Sequence, residues 1–154
     1  PEFEIGDIMV ITDHINLFPD NPLIGENYPE LGSRFPDMIE PYNKKLIANA
    51  FEIAKAQSIK LVKGVYAGLT GPALETTAEY KYIRIIGGDT VGMSTVPEVI
   101  AATHMKMNCF ALSVITDLGV EGKIKPISFE DIMQVAKEQE PKMKKIINEL
   151  IQQL

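Results

Sequence analysis

Tryptophan is absent from the 154 residues, cysteine occurs once and histidine twice. A single cysteine, Cys109, excludes an intramolecular disulfide and suits a reducing compartment, where it is expected to be an inert buried thiol within an apolar strand. So few histidines and cysteines leave no cluster with the spacing of a metal centre, and no metal is expected. Runs of five or more like charges are also missing, and the net charge is −6. That balance argues against a nucleic-acid surface, which needs a basic patch. The sequence has neither a signal-peptide pattern nor an apolar run of membrane-spanning length, so no membrane partner and a cytoplasmic location are expected.

What remains is ordinary for one globular domain: 45% hydrophobic and 23% charged residues over a length that supports a substantial core. The apolar run Ile8 to Asn16 reads as a buried strand, followed by a long breaker-rich loop over 17–40 with prolines at 19, 22, 29 and 36. Asp13 and His14, at the strand's end, are expected to form a local hydrogen-bonded turn. Residues 41–58 repeat apolar positions at helical spacing, and 59–67 return to strand character. Thr76 and Glu79 stand at capping-box spacing before a helix running to about Ile86, where Gly87-Gly88 stops it. A short strand over 89–91 then leads through Gly92 and Ser94-Thr95 into a helix over 97–107, with Thr95 and Glu98 again at capping-box spacing. Its histidine, His104, falls near the helix C-terminus, where a cation is favoured. A third junction follows the strand 108–117, which ends in Thr116-Asp117. Ser128 with Asp131 starts a final helix, which Pro141 is expected to kink or divide.

The alternation of strands and helices predicts an α/β fold around a mixed, mainly parallel sheet, without internal repeats. In an open parallel sheet the endings at Gly68–Glu75, Gly92–Thr95 and Thr116-Asp117 would share one edge, where such folds hold ligands. A capped helix after Ser94 would offer backbone N–H groups and a positive dipole end to an anion.

Four phrases, Asp13-His14-Ile15-Asn16-Leu17, Gly32-Ser33-Arg34-Phe35-Pro36, Gly71-Pro72 with Glu75-Thr76 and Ala78-Glu79, and Val91-Gly92-Met93-Ser94-Thr95-Val96-Pro97-Glu98, together resemble the trimeric purine nucleoside phosphorylases. Their order and spacing match over nearly the whole chain. The resemblance implies that 1–154 is the C-terminal part of a single nucleoside phosphorylase domain, with 17–40 as an active-site and interface loop. It implies a partner half, carrying a glycine-rich phosphate loop and a basic segment, without which these residues are expected to be inactive. The implied reaction is phosphorolysis of purine nucleosides to base and ribose 1-phosphate, with no cofactor and with phosphate as co-substrate.

Carried over singly, Glu75 corresponds to the glutamate that accepts from N1–H of a 6-oxopurine, and Leu74 stands where an aromatic residue usually meets the base. Val91, Thr116 and Asp117 would line the base, Met93, Phe35 and Phe129 the ribose, and Ser94 the phosphate. Phe35 would reach a neighbouring subunit's site, implying a homotrimer. Glu75 and Asp117 are the catalytic candidates.

Asp117 departs from the asparagine usual in 6-oxopurine enzymes, because a carboxylate offers acceptors only. Either burial keeps it protonated, so that it donates to N7, or the substrate carries a 6-amino group. Phe129 stands where a histidine often bonds the 5′-hydroxyl, and it suits a deoxy or alkylthio 5′ group. Glu75 points toward inosine and guanosine; a methylthioadenosine or 6-aminopurine phosphorylase and a non-catalytic purine-binding fragment are the alternatives.

Overall fold

The apolar run that begins the chain becomes the centre of the sheet. In the computed structural model, which describes residues 3–154, β1 (Ile8–Asn16) pairs on both sides, and its first four residues are at most 1% exposed. On one side β2 (Leu61–Gly68) runs parallel to it, and β3 (Thr90–Gly92) runs parallel to β2. On the other side β4 (Leu112–Val114) is antiparallel, giving the order β3-β2-β1-β4. The register of β1 on β2 shifts between Ile11 and Asp13, a bulge at which the Thr12 hydroxyl donates to the Gly64 carbonyl at 3.2 Å.

Alternation along the strands divides the core between the two faces of the sheet. Met9 and Ile11 of β1 pack with Tyr66 of β2 and with Val96, Val99 and Ile100 of α3 (Val96–His104). The opposite face carries Leu61 and Leu112 against Ala50, Ile53 and Ala54 of α1 (Lys44–Ala56), which in turn pack on Ile146 and Leu150 of α4 (Phe129–Ile151). Burial of each valine, leucine, isoleucine or methionine among these stabilises the fold by about 1.5–3 kcal/mol. α2 (Thr77–Ile85) is the shorter cover, buried through Ile83 and tied back by the Arg84–Asp89 ion pair, while Asp89 Oδ2 accepts from the Val65 amide at 2.9 Å.

Four expectations change. Strand β4 is three residues long and not ten, although Ile11 N to Ala111 O (3.0 Å) and Ile115 N to Asp7 O (2.9 Å) prolong its contact with the chain around β1. Being antiparallel, it places Val114 beside Ile8, so Thr116-Asp117 leave from the end of the sheet opposite Gly68 and Gly92. Helix α4 runs unbroken through Pro141, because proline removes one hydrogen bond of a long helix that is held to α1 and β4. Cys109 lies outside β4 and is partly buried; desolvation pushes its thiol pKa up, which keeps it poorly nucleophilic. Among the described residues no helix is long and apolar enough to cross a membrane, and no group of three or more His, Cys, Asp or Glu is placed to hold a metal ion.

Candidate functional site

At the β3–α3 junction the chain cannot follow the simple capped entry its sequence suggests. Tyr66, buried at the end of β2, points its hydroxyl at the turn: it accepts from the Ser94 amide at 3.3 Å and lies 3.5 Å from Ser94 Oγ. Gly92 makes this possible, since a side chain there would collide with the Tyr66 hydroxyl. The held Ser94 forces the next residue to reverse sharply. Thr95 takes φ 74°, ψ −51°, and Val96 N bonds back to Ser94 O at 2.8 Å. This is a γ-turn with the rare positive-φ centre, strained for a β-branched residue.

The predicted capping box at Thr95 and Glu98 is therefore not formed. Thr95 makes no side-chain cap bond to α3, and its hydroxyl meets Ser94 Oγ at 3.1 Å. The first turn of α3 is left without a side-chain cap: Val96 N is taken by Ser94 O, Pro97 has no N–H, and the exposed Ser94 hydroxyl stands directly before the positive end of the helix.

The second group forms between α2 and the loop after β4. The Tyr80 hydroxyl donates to Asp117 Oδ2 at 3.0 Å, and the Thr116 hydroxyl donates to Asp117 Oδ1 at 3.1 Å. Glu75, one residue before the α2 cap, faces the same phenol. Burial first, and then the Asp117 and Glu75 carboxylates, push the Tyr80 pKa well above its usual value, so it stays a donor at neutral pH. Glu75, Thr116 and Asp117 thus converge although β4 leaves the sheet at the far end.

The remaining candidates are distributed around these two groups. Val91 is half-buried in β3, and Met93 is exposed, its thioether packed over Gly71 in the loop that also carries the exposed Leu74. Phe35 and Phe129 are drawn into neither group; their side chains are 85% and 70% exposed, Phe35 beneath the Arg34 guanidinium at 5.7 Å. The long loop has no helix or strand between Leu17 and Asn43, and Arg34 Nη1 fastens it to Leu23 O at 2.6 Å. The two apolar hollows along α4, one lined by Leu46, Phe110 and Ile147 and one by Val114, Met133 and Met143, touch none of the candidates.

The Asp13-His14 pair and His104 make contacts that hold the long loop and its surroundings. His14 Nδ1 meets the buried Tyr42 hydroxyl at 3.0 Å, and Asp13 Oδ1 accepts from the His14 amide at 2.8 Å. Desolvation lowers the His14 pKa despite the neighbouring Asp13. His104, the last residue of α3, is buried with Nε2 3.4 Å from Asn27 Oδ1 in the long loop. Sequence reasoning missed Tyr66 and Tyr80. Tyr66 fell inside the strand 59–67 and Tyr80 inside the helix after Thr76 with neither singled out, and their partners lie 28 and 37 positions away.

The fold has counterparts among known proteins. The model of the phosphorylase superfamily matches residues 1–152, and the chain belongs to that superfamily. It is similar to purine nucleoside phosphorylase 1 of Bacillus subtilis, 43% identical over 99% of this chain and 56% of the relative. Among solved structures, isoform 2 of the Schistosoma mansoni purine nucleoside phosphorylase, in complex with cytosine and ribose-1-phosphate, superposes with TM-score 0.94 at 34% identity, over 99% of this chain and 56% of that one. The Schistosoma mansoni enzyme in complex with inosine gives TM-score 0.92 at 32% identity, over 99% and 56%. The chain thus spans about half the length of these relatives.

Proposed function

We propose that the complete polypeptide carrying this chain phosphorolyses purine nucleosides of the inosine and guanosine type in the cytoplasm. In that reaction the C1′–N9 bond breaks with its electron pair passing to the purine, and a phosphate oxygen bonds to C1′. The base is released and ribose 1-phosphate formed. No cofactor is assigned, phosphate being the co-substrate. The convergence of Glu75 and Asp117 on Tyr80 carries the reading, because it gathers acceptors at one place where a purine can present its N1–H.

Glu75 accepts from N1–H; Leu74, Val91 and Thr116 flank the base, and Met93 meets the ribose. Ser94 receives phosphate through its exposed hydroxyl, beside the positive end of the α3 dipole. Phe35 serves the neighbouring site in a homotrimer, a role that accommodates its 85% exposure here. Phe129, exposed on the first turn of α4, closes the 5′ side. On this reading residues 1–154 alone hold too little of the phosphate site to turn over.

A second reading, a 6-aminopurine or methylthioadenosine phosphorylase, is favoured by one observation: both Asp117 oxygens accept from hydroxyls, the arrangement of an acceptor and not of a donor. The test is base release from inosine, guanosine, adenosine and methylthioadenosine with and without phosphate. Phosphate-dependent cleavage led by inosine or guanosine is expected. A lead by the adenine nucleosides establishes the second reading. Purine binding that phosphate leaves unchanged, without cleavage, reduces the protein to a binding module.

A further inference from the structure

Asp117 sits on a loop whose strand ends at Val114, so its carboxylate needs an anchor from elsewhere. That anchor is Tyr80, one turn into α2. Its ring lies against Gly119, where any side chain would overlap it, and its hydroxyl reaches Asp117 Oδ2 at 3.0 Å. A phenol has one proton to give. Here it goes to Asp117 at hydrogen-bond distance, while the Glu75 carboxylate lies near enough to the same phenol to help raise its pKa. With Thr116 donating to Oδ1, the Asp117 carboxylate is held by a donor on each oxygen. A carboxylate so held keeps its remaining lone pairs as acceptors, and an exocyclic amine is the donor a purine has for them.

We propose that Tyr80 is a positioning residue that sets purine specificity: by fixing Asp117 as an acceptor beside Glu75, it lets the base site take a 6-amino group alongside the 6-oxo group. The proposal rests on the purine assignment above and adds to it a residue that touches no substrate atom. A hydroxyl bond to a charged acceptor is worth enough that losing it changes a binding ratio by about tenfold.

The experiment compares adenine and hypoxanthine affinities, by titration calorimetry on the complete polypeptide, for wild type, Tyr80→Phe, Asp117→Asn and the double variant. Tyr80→Phe is expected to lower the adenine-to-hypoxanthine affinity ratio about tenfold, and to leave it unchanged in the Asp117→Asn background. A structural role alone would weaken both bases together. An unchanged ratio in Tyr80→Phe, or an equal change in both backgrounds, overturns the assignment. Purine binding with the expected ratio shift but without phosphate-dependent cleavage would refute phosphorolysis and leave Tyr80 standing.

Discussion

At Thr76 the chain enters α2 with φ −70°, and at Thr95, at the same distance from a glutamate, it enters α3 with φ 74°. The first entry closes a reciprocal cap: Glu79 N donates to Thr76 Oγ1 at 3.3 Å, and Thr76 N to Glu79 Oε2 at 2.7 Å. Ser128 and Asp131 close the same pair at α4, at 3.1 Å in both directions. At α3 the cap is given up, because Tyr66 holds Ser94 and the γ-turn aims the Thr95 hydroxyl at Ser94. The difference teaches that two helix starts are built for stability. The third accepts backbone strain and, with Val96 N turned back on Ser94 O, presents the exposed Ser94 hydroxyl at the positive end of the helix.

If the α3 start is reserved for phosphate, Ser94→Ala should raise the phosphate KM by about tenfold or more in steady-state kinetics, with little change in thermal unfolding. An unchanged KM would remove the functional half of the contrast. In stability the two threonines should move in opposite directions. Thr76→Ala is expected to cost about 1 kcal/mol through loss of the cap. Thr95→Gly should gain about 1 kcal/mol, since glycine relieves the positive φ at a smaller entropic cost. Urea unfolding of both variants checks this, and a loss at Thr95→Gly would mean that its backbone is unstrained.

The smallest effect is in pH dependence. Glu79 and Asp131 have their pKa values lowered mainly by the hydrogen bonds of their caps, from the backbone and side chain of Thr76 and the side chain and backbone of Ser128. A depressed folded-state pKa gives stability that is present above the unfolded values, near 4.5 and 3.8, and is lost as pH falls through the folded ones. Glu79→Gln and Asp131→Asn should therefore flatten the acid limb of stability against pH slightly. An acid limb unchanged by both would show that these two caps are not formed in solution.

The extent of legibility in the sequence follows the distance over which each feature is decided. The bounds of β1 and the capped starts at Thr76 and Ser128 were readable, because strand patterning and capping boxes act within a few residues. The same local rule failed at Thr95, overruled by Tyr66 from the neighbouring strand. Glu75, Ser94 and Asp117 were legible as candidates through motif resemblance. Their groupings were not, since Tyr80 meets Asp117 across 37 positions and β4 reverses direction beside β1.

By itself, then, the sequence determined the element order, the long loop over 17–40, two of three helix caps and the phrases that mark the family. The tertiary structure alone decided that β4 runs antiparallel, that α4 survives Pro141, that Thr95 is strained and that Tyr80 holds Asp117. Each of these depends on which distant group a side chain meets, and such contacts are fixed by packing the sheet between its helices, not by propensity along the chain.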